Sequence, residues 1–310
     1  MAGLSAHEAR PSRLESGLVA RALPTVAFAM LACTPPTGRQ PSEHGAATNA
    51  TTSASAGRAT TELAPAPMLG IIDATETRDG ADARLFQVLP SASGADLDPL
   101  GYFVEFDFSA PAGFPDHGHS GFEGVTYMFT GALHHRDSLG HEGEITAGSA
   151  QRFTAGRGIV HSEMPAGNSP AHGLQLWVNL PRALKGVAPD WQQVESVALP
   201  YESSAGVEVH RILGGNSPLR LLTRAEMWDV QLAQGASFKQ ASAGASWRTV
   251  VYVVDGIVAY GEHSLHRRQA ALLGAGQLTL VAPAPGTARV VVFQGLAHGE
   301  PIRHRGGSLE

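Results

Sequence analysis

The sequence has little cysteine and little charge. One cysteine in 310 residues excludes an intramolecular disulfide and a thiolate metal cluster. Charged residues make up only 16% of the chain and the formal net charge is -6, so no basic surface exists to hold a phosphate backbone. We therefore expect no direct nucleic-acid partner.

What the sequence does have is apolar content and turn residues. With 43% apolar residues, a chain of this length can bury a sizeable core, and the length suggests about two domains. Thirty-six glycines and 20 prolines interrupt short β-branched runs, which is typical of strands joined by tight turns. The composition predicts an all-β protein.

The N-terminal region has the features of a bacterial lipoprotein signal. Arg10, Arg13 and Arg21 precede an apolar stretch from Ala22 to Ala32 that is too short to cross a membrane as a helix, and Met30-Leu31-Ala32-Cys33 resembles a lipobox. This predicts a signal peptide over residues 1–33 and a lipid anchor on Cys33, which would place the protein on the periplasmic side of the cell envelope. Translation from Met30 would erase the signal and leave a cytoplasmic protein.

The remaining chain divides into segments that differ in composition and in hydrophobic pattern. Residues 34–67 are rich in Thr, Ser, Ala, Gly and Pro and predict a disordered linker. Alternation of apolar and polar residues then begins, as in Phe103 to Phe108, which predicts a half-buried strand. The turn-rich stretch from Pro181 to Pro189 separates two strand series, so we expect a metal-binding barrel over residues 68–182 and a second barrel over 183–310.

Two pairs of candidate metal ligands lie in the first predicted barrel. His117 and His119 are two residues apart, as are His161 and Glu163, and alternate residues of a strand share one face. Three imidazole nitrogens and one carboxylate oxygen suit a borderline divalent ion such as iron, manganese, nickel, copper or zinc. Four protein ligands around an octahedral ion leave two positions for dioxygen, water or a chelating substrate.

Other histidines lack this spacing. His263 and His266 are three residues apart, so the second barrel is expected to be structural and metal-free. Most of the rest are interpreted as ordinary core or surface residues: His134, His135, His141, His172, His210, His298 and His304.

Four segments carry a family resemblance. Phe114 to Glu123 contains the histidine pair followed by Gly-Phe-Glu, and His135 to Gly140 is His-Arg-Asp-Ser-Leu-Gly. Thr154 to Pro165 includes Ala-Gly-Arg-Gly and His-Ser-Glu-Met-Pro, and Ala171 to Leu180 is Ala-His-Gly-Leu-Gln-Leu-Trp-Val-Asn-Leu. With these motifs the chain resembles the pirin family.

The resemblance implies a fold and a ligand set. Pirins are bicupins, with two cupin barrels of the double-stranded β-helix type in one chain. Their metal ligands correspond to His117, His119, His161 and Glu163 here. It implies Fe(II) as the principal ion, with Mn, Ni, Cu and Zn left open by the donor set.

The resemblance also implies an activity, because some pirins open flavonols such as quercetin with dioxygen. The expected partners are then a small-molecule substrate and dioxygen, and we expect a monomer. Glu163 is the candidate catalytic residue, as a ligand that on partial release could serve as general base for the substrate hydroxyl. Of the two roles, we favour a purely electrostatic ligand role.

Two other functions stay open. A non-catalytic iron- or redox-sensing protein of the transcriptional co-regulator type is the first, and it requires a cytoplasmic location. Cupin chemistry without dioxygen, such as sugar isomerisation or hydrolysis, is the second.

Departures from the family pattern suggest differences at the site. Ser120 replaces the usual arginine, so substrate choice is expected to differ. The chain also ends short of the family's C-terminal segment, which we expect to expose part of the first barrel.

Overall fold

The computed structural model describes residues 63–90 and 97–310, and strands dominate it. The helical elements in those residues are two short 3-10 turns, Arg182–Leu184 and Ser196–Ala198. No helix there has the length and apolar character needed to span a membrane. The prediction of an all-β fold with two cupin barrels is confirmed.

The first barrel consists of two facing sheets. Its strands are β2 (Thr75–Asp79), β3 (Ala83–Leu89), β4 (Leu100–Phe108), β5 (Phe114–His119), β6 (Phe122–Thr130), β7 (Ala132–Asp137), β8 (Glu142–Thr146), β9 (Ala150–Thr154), β10 (Ile159–Pro165), β11 (Ala171–Asn179) and β12 (Asp190–Val194). The larger sheet has the order β12-β9-β6-β11-β4-β3-β2, and the smaller has the order β5-β10-β7-β8. Phe106 and Met128 of the larger sheet pack in one buried cluster with Leu133 and Ile145 of the smaller.

The second barrel repeats this plan. Its strands are β1 (Met68–Asp73), β13 (Tyr201–Ser204), β14 (Val207–Leu213), β15 (Ala225–Leu232), β16 (Ser237–Ala241), β17 (Trp247–Tyr260), β18 (His263–His266), β19 (Gln269–Leu273), β20 (Gln277–Val281) and β21 (Ala288–Leu296). The main path runs β1-β19-β17-β21-β15-β14-β13. β1 precedes the first barrel in the chain but pairs with β19 of the second.

The strand orders of the two barrels correspond one to one. β6 and β17 take the same place, which agrees with the likeness between Tyr127 to Ala132 and Tyr252 to Ile257. Gly131 and Gly256 occupy equivalent positions with φ of 70° and 76°, and a Cβ at either would lie within 2.1 Å of a carbonyl oxygen. Only glycine fits such a turn, so both copies of the motif retain it.

The barrels share a buried interface. Phe103 and Leu176 of the first barrel lie in one apolar cluster with Met227 and Phe293 of the second. Glu105 is fully buried there, so β4 is not the half-buried strand that its alternation predicts. The second barrel covers the face that the alternation assigns to solvent.

Two tyrosine–carboxylate hydrogen bonds cross this interface in opposite directions. Tyr127 of the first barrel donates to Asp229 of the second at 2.9 Å, and Tyr252 of the second donates to Glu105 of the first at 2.5 Å. All four side chains are buried.

A short hairpin, β22 (His304–Arg305) and β23 (Ser308–Leu309), returns to the first barrel. Leu309 is 1% exposed and packs in a cluster with Phe122, Phe153 and Trp177. The hairpin therefore covers this part of the first barrel, and the expectation that part of the first barrel is exposed elsewhere stays a prediction.

The predicted signal peptide lies outside the described residues, as does the linker up to residue 62. Residues 63–67 are described, and they contact the second barrel: Pro65 bridges to Gln277, and Ala66 is buried. The domain boundaries stay predictions.

Candidate metal centre

Strands β5 and β10 bring three predicted ligands together. They pair antiparallel with His117 directly opposite His161, and His119 lies on the same face two residues on. The ring centroids are 4.5 Å apart for His117 and His119, 4.5 Å for His117 and His161, and 5.0 Å for His119 and His161. Ligand nitrogens of the three rings lie within 4.8 Å of one another.

Backbone carbonyls fix two of the rings. Nδ1 of His117 lies 2.8 Å from the Pro115 carbonyl oxygen, and Nδ1 of His119 lies 2.8 Å from the Gly307 carbonyl oxygen. A carbonyl only accepts, so each Nδ1 carries the proton and each Nε2 presents a lone pair. A ligating imidazole is commonly oriented by such a carbonyl.

Burial favours the neutral form of two of the three rings, His119 and His161. Burial, reinforced by the neighbouring His117 ring, lowers the pKa of His119 to about 4. Burial among the other histidines also lowers the pKa of His161 well below its usual value. Neutral imidazole is the form that binds metal.

Unpartnered nitrogens mark where an ion would fit. Nε2 of His119 is buried without a hydrogen-bond partner, and Nε2 of His161 faces Nε2 of His117 at 3.1 Å. Buried polar atoms normally have partners. Nitrogen lone pairs that converge in this way fit a divalent ion that prefers imidazole ligands.

Glu163 is not part of the group formed by His117, His119 and His161. Its nearest potential metal ligands are His161 and His135, and these three form a second grouping within 4.8 Å. Its Oε1 accepts from Gln151 at 2.6 Å and from Thr126 at 3.1 Å, and its Oε2 accepts from Gln175 at 2.6 Å. The structure thus gathers three of the four predicted ligands into one group, and the four-residue set stays a prediction.

His135 is a site neighbour that the sequence analysis treated as an ordinary core histidine. It is fully buried, but neither ring nitrogen has a hydrogen-bond partner, and Nε2 lies 3.6 Å from the Asp137 carboxylate. Its Cα is paired with that of Glu163 across β7 and β10. The available signal was its place as the first residue of the motif His-Arg-Asp-Ser-Leu-Gly, whose first three residues end β7.

A cavity of about 650 Å³ opens onto His117, His119 and Glu163. Most of its wall is apolar or aromatic, with contributions from Leu85, Tyr102, Val104, Phe106, Phe108, Phe114, Leu133 and Trp177. Tyr102 stacks on Trp177 with centroids 4.3 Å apart, and burial raises the pKa of Tyr102. The cavity can therefore enclose a flat, mostly apolar molecule next to the imidazoles.

The C-terminal hairpin forms part of this site. Gly306 and Gly307 line the cavity, and the Ser120 hydroxyl donates to the Ser308 hydroxyl at 2.8 Å. Ser120 is not among the cavity-lining residues. Its side-chain contact is with the hairpin, and the expectation that the serine in place of arginine alters substrate choice stays a prediction.

Sequence comparison finds relatives of both barrels. The profile of the Pirin family matches residues 92–178, and that of the Pirin C-terminal cupin domain matches residues 227–307. The protein named Pirin from Mus musculus is 37% identical over 241 residues, which cover 74% of this chain and 83% of the mouse protein.

Solved structures share the architecture. A quercetin 2,3-dioxygenase from Acinetobacter baumannii is 26% identical, with a TM-score of 0.70 over 79% of this chain and 92% of that one. The bacterial pirin YhhW from Escherichia coli, in complex with nickel(II), is 20% identical, with a TM-score of 0.61 over 74% of this chain and 99% of that one. The second likeness is one of fold alone.

Proposed function

This chain belongs to the pirin family, and from that premise we propose that it is a metal-dependent dioxygenase, with iron(II) as its metal and a flavonol such as quercetin, or a similar chelating molecule, as its substrate. His117, His119, His161 and Glu163 would hold the ion. The observation that carries the proposal is the group of three imidazoles whose ligand nitrogens lie within 4.8 Å of one another, two of which, His117 and His119, line a largely apolar cavity.

The chemistry of the donors supports a metal at this place. Two rings are oriented by carbonyls at 2.8 Å; Nε2 of His119 has no hydrogen-bond partner, and Nε2 of His117 has only Nε2 of His161 beside it, at 3.1 Å. When bound, a redox-active divalent ion supplies Lewis acidity and a site at which dioxygen and substrate can meet. The relative from Acinetobacter baumannii, which is named for this reaction, supports the choice of activity.

The cavity supports the choice of substrate class. Its volume of about 650 Å³ lies within the range common for small-molecule sites. Tyr102, Phe106, Phe114 and Trp177 line the cavity, and this aromatic surface suits a flat, mostly apolar substrate. Because the Glu163 carboxylate already accepts three hydrogen bonds, we assign it a fixed electrostatic role and not that of a mobile base.

Oxygen uptake tests the proposal. Protein stripped of metal and reloaded with iron(II) should consume dioxygen only when quercetin is present, and the apoprotein should consume none. If fully iron-loaded protein binds the flavonol without oxygen uptake, the dioxygenase hypothesis is rejected and the iron-sensing alternative is favoured. Turnover that persists under nitrogen would favour cupin chemistry without dioxygen.

We also propose that the mature protein is lipid-anchored through Cys33. The support is sequence alone: a basic start, an apolar run and the sole cysteine at the beginning of a polar segment. An envelope location would separate the protein from transcription factors.

A further inference from the structure

A row of polar side chains faces Glu163 across the first barrel. Glu163 lies on β10 of the smaller sheet, and its three hydrogen-bond donors come from neighbouring strands of the larger sheet: Gln151 on β9, Thr126 on β6 and Gln175 on β11. Thr126 is the direct cross-strand partner of both glutamines. The three donors therefore form one straight row, and it converges on one carboxylate.

Two tryptophans determine which way each amide points. Trp177 donates its indole N–H to Oε1 of Gln175 at 3.1 Å, and Trp191 donates to Oε1 of Gln151 at 2.8 Å. An indole nitrogen can only donate, so each glutamine must turn its oxygen to the indole and its NH₂ group to Glu163. Both amide NH₂ groups and the Thr126 hydroxyl therefore donate to the Glu163 carboxylate, and the Gln151 amide makes a further, longer contact of 3.4 Å with the Thr126 hydroxyl.

The second barrel, where the described residues form no grouping of potential metal ligands, shows which residues the fold places at the positions of this row. The strand orders match β9, β6 and β11 with β19, β17 and β21. Register then equates the polar row with Ala271, Val251 and Val292, which pair with one another in the same way. All three are fully buried and apolar.

The comparison separates a structural role from a functional one. A buried polar network is commonly no more stable than well-packed apolar residues of similar volume, so stability alone does not account for the row. The apolar version of the same row exists in the same chain. The polar version occurs in the barrel that holds the predicted ligands.

We propose that Gln151, Thr126 and Gln175 are positioning residues, a clamp that fixes the Glu163 carboxylate for metal binding. The inference rests on the proposed metal function and adds to it the residues that orient the anionic ligand. The tryptophans that orient the two glutamines also contact histidines: Trp177 packs on His119 at 4.9 Å, and Trp191 stacks on His135 at 5.2 Å. Each glutamine–tryptophan pair thus connects the carboxylate to a neighbouring imidazole.

Nickel(II) affinity measures the role of the clamp directly and requires no turnover. Gln151→Leu and Gln175→Leu should each weaken nickel(II) binding by about 10- to 100-fold, the usual effect of removing a group that orients a metal ligand. The absorption spectrum of the cobalt(II)-substituted protein should also change. Thr126→Val, which removes one weaker hydrogen bond and keeps the volume, should act in the same direction to a smaller extent, and it serves if a leucine variant does not fold.

A charge exchange distinguishes position from hydrogen bonding. The double substitution Glu163→Gln with Gln175→Glu keeps an amide–carboxylate pair but moves the negative charge across the barrel. It should be more resistant to urea than Gln175→Glu alone, yet it should not recover nickel(II) affinity. Gln294→Leu, which removes a buried glutamine of the second barrel, is the matched control and should bind nickel(II) as the wild type does.

Two results would overturn the clamp. One is wild-type nickel(II) affinity and an unchanged cobalt spectrum in the leucine variants, and the other is recovery of affinity in the exchanged pair. The His161→Ala variant keeps this apart from a failure of the proposed function. If His161→Ala also binds nickel(II) normally, the metal site itself is wrongly placed, whereas loss of binding in His161→Ala alone contradicts only the clamp.

Discussion

Nδ1 of His119 lies 2.8 Å from the carbonyl oxygen of Gly307, a residue 188 positions later in the chain. The hydrogen bond selects the ring tautomer that leaves Nε2 free, so the C-terminal hairpin helps to prepare a candidate ligand. Other contacts hold the hairpin in place, including Lys185, whose ammonium donates to the carbonyl oxygens of Leu309 and Gly121.

Gly307→Ala should weaken metal binding by about tenfold, because the hairpin would have to withdraw from His119. A Cβ at residue 307 would lie 2.5 Å from the Gly118 carbonyl oxygen and 3.0 Å from Nδ1 of His119. Nickel(II) titration measures the effect. Gly186→Ala is the control, since a Cβ there meets nothing within 4 Å. Equal affinities in the two variants would mean that the hairpin does not support His119.

His161→Ala should reduce metal content to near zero, whereas His263→Ala should leave it unchanged. His161 belongs to both groupings of potential ligands in the described structure, while His263 is exposed on β18 of the second barrel. Elemental analysis of the purified variants gives the answer. Equal loss in both would show that the ligands are assigned to the wrong residues.

Glu163→Gln should lower flavonol turnover at least about tenfold and change flavonol binding less, because the amide keeps the shape of the side chain but loses its charge. One amide NH₂ would also face the NH₂ group of Gln151 or Gln175, which the two indoles prevent from turning. Oxygen uptake and fluorescence titration with quercetin separate the two effects. Weaker binding with unchanged turnover would contradict this role.

Tyr252→Phe should reduce the free energy of unfolding at pH 7 by about 2 kcal/mol, because the buried Glu105 carboxylate loses a donor. Burial raises the pKa of Glu105, but the hydrogen bonds from His172 and Tyr252 outweigh it, so the net pKa is lowered. A lowered carboxyl pKa stabilises the fold above about pH 4.5, and this stabilisation is lost as the pH falls.

The gap between wild type and Tyr252→Phe should therefore narrow between pH 6 and pH 3. Urea unfolding across this range measures it, with Tyr201→Phe as the control, since Tyr201 is exposed. A gap that is the same at every pH would mean that Tyr252 contributes packing and not a hydrogen bond to a charged group.

Cys33→Ser should release the protein from membranes into the soluble fraction, because lipidation requires the thiol. Fractionation of cells expressing each form at natural levels is the measurement. A wild-type protein that is soluble and retains Met1 or begins at Met30 would contradict the anchor.

Much of the site could be predicted from the spacing of residues in the sequence. The remainder depends on contacts between distant parts of the chain, which this spacing does not predict. Alternate residues on a strand share a face, so the pairs His117 with His119 and His161 with Glu163 could be predicted locally. Gly307 could not, because its contact with His119 depends on how the whole chain folds back. The same reason explains why Glu105 was expected to face solvent.

The row formed by Gln151, Thr126 and Gln175 could be predicted only in part. Gln151 and Gln175 each lie two residues before a buried aromatic residue of the same strand, Phe153 and Trp177. An amide that shares a strand face with such an aromatic residue is a signal that sequence analysis could use. The identity of its partner requires the register of three strands.

The two tyrosine–carboxylate bonds between the barrels have a consequence for the history and the handling of this chain. A pair of contacts exchanged reciprocally is what a two-fold symmetric dimer makes, where residue i of one subunit meets residue j of the other and j meets i. Tyr127 with Asp229 and Tyr252 with Glu105 keep that pattern inside a single polypeptide. The two barrels are thus arranged like the subunits of a two-fold symmetric dimer, and a half expressed alone would present its tyrosine, its carboxylate and the surrounding apolar cluster to water. We expect such halves to be insoluble apart and to reassemble when produced together.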